Sequence, residues 1–245
     1  MLKSLCDAEL MIGPGSSIDE SVRVGNGVQI GRRVTIGANT VLYPNTVIED
    51  GCFVGANCVI GEPSMGFYTT PNHVFQPTRL RNDSIIRAGS VLYEDVEVGS
   101  EFQSGNKVCI REKTRIGDRV SLGSDCDVQP DVVIGDYTRI HSACHITEGS
   151  RIGKYVWILG GFFCTNDNMF PLFRHSQPPI IGDFCVLAAR CFLYPGVKLG
   201  KHVVVAADSS VKGEHPDFSL LAGRPARRRC DARDFFIKVG ENTVY

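Results

Sequence analysis

Between Ile12 and Val211 an aliphatic residue returns at every sixth position. One series runs Ile12, Ile18, Val24, Ile30, Ile36, Leu42, Ile48, Val54 and Ile60. A second runs from Ile86 to Ile158 with a single exception at Ser104, and a third from Ile181 to Val211. Half of these positions are followed directly by Gly, and four residues after each comes Ser, Thr, Cys or Val almost throughout. A period of six is neither the 3.6 of an amphipathic helix nor the alternation of a two-sided strand. It is the period of a solenoid. Each hexad makes a short strand with one large and one small residue pointing inward, then a turn where Gly tolerates backbone angles that others avoid. Three hexads close a triangular coil of about 18 residues, and about nine coils at ~4.8 Å spacing make an all-β prism on the order of 45 Å tall. Its interior is filled by its own side chains, so function is expected on the outside, at insertions, corners, ends or contacts between prisms.

The remaining composition narrows the function class. In 245 residues, 26 basic and 27 acidic side chains balance, which gives no overall field for nucleic acid or an anionic membrane. No apolar run approaches the roughly 20 residues of a membrane helix, and the opening MLKSLCDAEL lacks the core and cleavage site of a signal peptide. The expectation is a cytoplasmic protein. Of ten cysteines, Cys52, Cys58, Cys126, Cys144, Cys185 and Cys191 share the small inward slot of the repeat, and no C-x-x-C occurs. They read as small core residues and not as zinc ligands, which need converging spacings.

The repeat breaks twice. Residues 61–83 carry Phe67, Tyr68, Pro71, His73, Phe75, Pro77, Arg79 and Arg81, and long insertions in solenoids tend to be binding loops. Aromatic rings beside arginine suit a nucleobase and a diphosphate. Just beyond, Phe102 and Ser104 exchange the expected small and large inward residues. In this disturbed zone Ser84 joins the substrate-binding candidates Phe67, Tyr68, His73, Arg79 and Arg81, and Glu94 and Glu101 are candidates to take a proton from an amine. The second break, over residues 163–180, contains Cys164-Thr165-Asn166-Asp167 and a proline-bearing excursion. Asn and Asp are ordinary turn formers, so Asn166 and Asp167 read either as a loop start or as site residues. The prism is expected to span residues 1–213, with a cap and tail over 214–245.

The pattern over residues 12–212 resembles the hexapeptide-repeat acyltransferases, a family that implies a left-handed parallel β-helix, usually in trimers. The handedness comes from this resemblance, because crossovers between parallel strands are normally right-handed. The order of signals, a regular stretch, then T-N-D, then a proline-bearing loop, looks like the branch that acylates amino groups on nucleotide-linked sugars. It implies an active-site role for Asn166 and Asp167. The family often uses a histidine base; His141, at a corner after Ile140, matches best by position, and His145 is second. The G-R-P-A segment ending in Arg227 and Arg228 is similar to the family's terminus, where coenzyme A lies. That makes Arg224, Arg227 and Arg228 candidates for its phosphates and Pro225 a further cofactor-binding candidate, with Ala188, Ala189, Ala206 and Ala207 letting the pantetheine arm lie close to the backbone.

The reading is therefore an acyl-CoA-dependent N-acyltransferase of a nucleotide-linked amino sugar, dTDP being the favoured nucleotide, with acetyl-CoA or another short acyl-CoA as co-substrate and no metal. It works as a homotrimer with no nucleic acid or membrane partner. Three alternatives stand beside it: an O-acyltransferase using His141 as base, a zinc hydratase built on His141, His145 and His202, and a non-catalytic scaffold.

Overall fold

The structure, a computed structural model, describes residues 3–4, 11–167 and 176–234. Three sheets of two-residue strands form the faces of a prism, called here A, B and C, and the chain visits them in the cyclic order B, C, A. Each strand pairs in parallel with the strand one coil earlier and one coil later, as Asp127–Val128 pairs with Cys109–Ile110 below and His145–Ile146 above. The parallel arrays hold ten or eleven strands each, so the prism has about eleven coils and a height on the order of 50 Å at the usual strand spacing. Two coils more than expected arise because several inward slots are filled where the sequence rhythm looks lost. Leu80 and Cys164 occupy such slots and are buried, and the pairing of Val205 with Leu221 carries the last coil to Gly223, past the expected end at residue 213. Antiparallel strands close both ends of the stack. Lys3–Ser4 pairs with Arg23–Val24, and Ala226–Asp231 folds back on Ser219–Gly223. The latter covers an otherwise unpaired edge.

One continuous core fills the interior, from Val22 to Ala226. The six cysteines of the small slot are buried within it, as expected from their spacing. Burial pushes the Cys52 thiol up to about 11 and the Cys185 thiol up to about 12, so neither is a nucleophile near neutral pH. The coil with the inverted pair also closes properly. Phe102 and Ser104 are both buried, and the Ser104 hydroxyl accepts the Arg87 N–H at 2.9 Å. The phenyl ring supplies the volume that the serine withholds, which keeps packing density even along the axis.

The corners are as ordered as the faces. At the corner between B and C, carboxylates cap backbone N–H groups of the coil below: Asp118 accepts from Ser100 at 2.8 Å and Asp136 from Asp118 at 3.1 Å. Outside them five rings stack, Tyr137, Tyr155, Phe184, His202 and Phe218, with centroids 4.8, 5.1, 4.8 and 4.8 Å apart and planes within 3°. The ring spacing is the coil spacing. All five residues sit at φ of 55–60°, the left-handed region that aromatic residues seldom enter. Stacking at about 0.5–1.5 kcal/mol per pair offsets that strain. Arg119 lies under the Tyr137 ring and Arg233 over the Phe218 ring, so cations close both ends of the column. Among the described residues, no helix is long and apolar enough to cross a membrane.

Replacing Phe102 with Ala should cost about 3–5 kcal/mol in chemical denaturation, as for other fully buried aromatic truncations. A loss below ~1 kcal/mol would show that the Phe102–Ser104 exchange is not a packing compensation.

Candidate active face

Both insertions leave the prism at the same corner, between faces A and B. The first departs after Val59–Glu62 on face A and returns at Arg79–Leu80 on face B; the second departs after Phe163–Cys164 on A and returns at Ile180–Ile181 on B. Five coil steps separate the two departures along face A, roughly 24 Å at ~4.8 Å per step. The points of departure thus mark two levels on the border of face A, one below and one above.

The lower loop holds a short helix, α1 (Met65–Thr69), and is fastened by one carboxylate. Glu94 is 2% exposed and accepts from Ser64 N at 2.9 Å, Ser64 Oγ at 2.5 Å and Gln76 N at 3.0 Å. His73 Nε2 lies 2.9 Å from the same carboxylate. Burial raises the Glu94 pKa, but the bonds from Ser64, Gln76 and His73 outweigh it and leave the carboxyl below its usual range. So occupied a group is a clasp, which corrects the expectation of a proton-accepting Glu94. Beside it, Phe75 stacks on Tyr43, two coils below Glu94, and meets Phe67 and His73, forming an aromatic cluster, with a cavity of about 580 Å³ lined by residues 67–73.

Between the loops, face A presents two outward columns, one residue before and one after each inward aliphatic. Face B fills the second column mostly with glycine. There a side chain would strike the next coil: a β-carbon at Gly99 would lie 2.6 Å from Asp118 N, and one at Gly117 2.8 Å from Asp136 N. On face A the same column reads Tyr93, Arg111, Gln129, Thr147, Thr165, Tyr194 and Lys212. The first column contains Cys109, Asp127, His145, Phe163 and Phe192, each one coil above the last.

Within these columns His145 Nδ1 lies 2.9 Å from Asp127 Oδ2. An ionised carboxylate only accepts, so Nδ1 carries a proton, and in the neutral ring the lone pair is on Nε2. Gln129 Nε2 donates to both Asp127 oxygens, at 3.0 and 2.8 Å, and the imidazole stacks on Phe163 at 4.4 Å. The hydrogen bond from His145 holds the Asp127 carboxyl below its usual range against the opposing effect of burial, with Gln129 and the Arg111 charge assisting. One or more coils above His145, Phe163, Phe192, Tyr194, Arg190, Lys212 and Arg224 surround a cavity of about 620 Å³. Arg190 and Arg224 both pair with Asp208, at 2.7 and 3.1 Å, which leaves the patch with a net positive charge.

The other sequence candidates divide by position. Arg224 and Pro225 line the upper cavity, and Ala188, Ala189, Ala206 and Ala207 form turns along its corner, between faces C and A. Arg227 and Arg228 are exposed on the capping strand, at the edge of sheet C. Asn166 and Asp167 stand at the base of the upper loop, where Asn166 O accepts from Gln177 N at 2.7 Å and Asn166 Nδ2 donates to Ser176 Oγ at 3.2 Å. The rest of that excursion, residues 168–175, and the tail from 235 lie outside the described residues. Phe67, Tyr68 and His73 belong to the lower loop. Arg79, Arg81 and Ser84 do not, because Leu80 already restores the repeat: Arg79 and Arg81 lie on face B, Arg81 paired with Glu97, and Ser84 is a buried small-slot residue donating to Gly99 O at 3.0 Å. Glu101 lies apart from face A. It sits on the far corner, between B and C, in an ion pair with Arg119 at 2.8 Å. His141 stands on the corner between C and A, where its Nε2 accepts from Trp157 Nε1 at 2.9 Å, and among the described residues no carboxylate pairs with it. The sequence reading ranked His145 second and missed Asp127 and Gln129. The signal was present as i, i+18 spacing, Asp127 to His145, one coil apart.

Comparison with known proteins agrees with this architecture. The family described as bacterial transferase hexapeptide (six repeats) matches residues 27–62 and 113–148, and the hexapeptide repeat of succinyl-transferase matches residues 178–211. The chain thus carries the hexapeptide repeats that these two families describe, over part of its length. No curated protein matches it. Among solved structures it is similar to the hexapeptide-repeat containing acetyltransferase VCA0836 from Vibrio cholerae, at 27% identity and a TM-score of 0.38, covering 45% of this chain and 72% of that one. It is also similar to PerB from Caulobacter crescentus, in complex with CoA and GDP-perosamine, at 22% identity and a TM-score of 0.36, covering 60% and 57% of the two chains. AntD, an N-acyltransferase from Bacillus cereus in complex with dTDP and coenzyme A, gives 17% identity and a TM-score of 0.32, covering 63% and 87%.

The clasp makes the lower loop sensitive to acid. Because the folded Glu94 pKa lies below its ordinary 4.5, its contribution is complete above that value and is lost as pH falls through the folded value. Hydrogen exchange at Ser64 and Gln76, corrected for intrinsic rates, should therefore accelerate below about pH 4.5. Glu94→Ala should strip protection there at neutral pH by about tenfold or more, as expected for ~1–3 kcal/mol per orphaned buried donor. Unchanged exchange in that variant would remove the clasp assignment.

Proposed function

We propose that this acyltransferase moves a short acyl group from coenzyme A to the amino group of a nucleotide-linked amino sugar, dTDP being the favoured nucleotide, with His145 as general base in place of His141. One observation carries the reading. The carboxylate-oriented imidazole stands on face A between an aromatic and basic cavity above and an aromatic loop below. The phosphates of the donor fit Arg190, Lys212 and Arg224. From Phe192 the pantetheine arm then runs down past Phe163 to His145, two coil steps or about 10 Å. The acceptor enters from the lower loop, and Asn166 and Asp167 border the meeting point from the corner. A homotrimer would wall this open face with a neighbouring prism and complete the cleft.

The neutral amine attacks the thioester carbonyl, forming a C–N bond while the carbonyl oxygen takes the negative charge. His145 Nε2 accepts the amine proton, and Asp127 stabilises the resulting imidazolium. Collapse of the intermediate breaks the C–S bond, and the proton passes from His145 to the departing sulfur. No covalent enzyme intermediate is needed, in keeping with the inert buried thiols. Holding amine and thioester together contributes the larger share, on the order of 7–11 kcal/mol in effective molarity. The base adds roughly 100- to 10,000-fold.

The same dyad favours a second reading, transfer to a sugar hydroxyl, because a hydroxyl needs its proton removed more urgently than an amine does. A panel of short acyl-CoAs against dTDP- and UDP-amino sugars and their hydroxyl counterparts, followed by thiol release, separates the two. His145→Gln should lower kcat by roughly 100- to 10,000-fold with little change in either KM, and Asp127→Asn should follow it, while His141→Ala stays within about twofold. A His145→Gln enzyme of normal kcat, or a crippled His141→Ala, would overturn the assignment.

A further inference from the structure

We infer that Arg111 is the diphosphate subsite of the acceptor, placed midway between the loop that receives the nucleoside and the dyad that receives the amine. This rests on the nucleotide-sugar reading above. The strand register fixes the position: Glu62, at the loop's departure, pairs with Tyr93, and Arg111 and Gln129 follow Tyr93 in the same outward column on the next two coils. Arg111 is therefore two coil steps above the departure of the lower loop and two below the row of His145, about 10 Å from each. A nucleoside diphosphate sugar has this order, with base and ribose on one side of its two phosphates and hexose on the other.

The local chemistry suits an anion. The Arg111 guanidinium lies over the Tyr93 ring, 4.7 Å from its centroid, which fixes its plane while leaving its edge available. Its Nε and Nη2 donate to neighbouring Glu112 at 2.8 and 3.1 Å, and no partner is seen for Nη1 among the described residues. Arg111 and Glu112 keep 29% and 16% of their side-chain exposure, so the guanidinium is reached from face A and a dianion competes with the single carboxylate for its fork. Two phosphate oxygens match the planar fork as no single point charge does. Other arginines nearby are tied from coil to coil: Arg81 to Glu97, Arg115 to Asp95 and Arg119 to Glu101. These lie on face B and its far corner, away from the dyad.

Coenzyme A also carries a diphosphate, so the test titrates both ligands separately. Calorimetry with dTDP, UDP and GDP, and with coenzyme A, is run on the full chain, Arg111→Ala, Arg111→Lys and Arg224→Ala, with thermal melts as a folding control. Arg111→Ala should weaken the preferred nucleoside diphosphate at least tenfold and leave coenzyme A unchanged. Arg224→Ala should do the reverse, and Arg111→Lys should recover only part of the loss. In turnover the Arg111→Ala effect should appear in the acceptor KM, with the pH profile of kcat unmoved. If Arg111→Ala leaves nucleotide binding intact, the subsite is wrong and the nucleotide reading stands. If it weakens coenzyme A instead, or shifts the pH profile without altering binding, Arg111 serves the donor or Asp127 and the inference falls. If the unaltered chain binds no nucleoside diphosphate, the nucleotide reading itself fails and the subsite with it.

Discussion

Everything here depends on the stacking of coils through parallel strand pairing, which makes residue i the neighbour of residue i plus 18. Inside the prism that register turns one aliphatic per hexad into an unbroken core. Outside, it turns sequence spacing into straight columns of side chains at the strand spacing. A ladder of rings, a chain of carboxylate caps and a histidine backed by aspartate are three products of one geometry. None requires an interior cavity, and the filled core leaves no room for one.

The three faces use this register differently. Face B keeps glycine after its inward aliphatics and matches charges between coils, as Arg115 with Asp95 and Arg151 with Asp131. Such exposed pairs suit a solvated surface and contribute little energy. Face A replaces glycine with Tyr93, Arg111, Gln129 and Thr147 and receives both insertions at its border. A series of large polar side chains where a small one would fold as well is what a recognition surface looks like.

The fold was legible because its signal is a period, and a period survives local exceptions. Ser104 breaks the aliphatic rhythm, yet Phe102 restores the volume two residues earlier. The boundaries of the insertions were less legible, since Leu80 and Cys164 are inward residues that a search for long aliphatic runs passes over. That error carried Arg79 and Arg81 into the loop and Ser84 into the set of residues beside it. The site was partly legible. Reading along the chain favours His141, which stands at a corner; reading at a spacing of 18 brings Asp127 under His145 and Tyr93 under Arg111. Glu94 shows the limit of residue type as evidence. A carboxylate in a disturbed region suggests a base, whereas burial among four donors makes it a fastening, and burial is a property of the folded chain alone.

The central claim is that chemistry runs along face A, with the donor above His145 and the acceptor below. A crystal structure with coenzyme A and the preferred nucleoside diphosphate tests it most directly. The account predicts donor phosphates at Arg190, Lys212 and Arg224, the thiol near His145 Nε2, and the nucleotide between Arg111 and the lower loop. Ligands lying on face B, or a thiol closer to His141 than to His145, would contradict it.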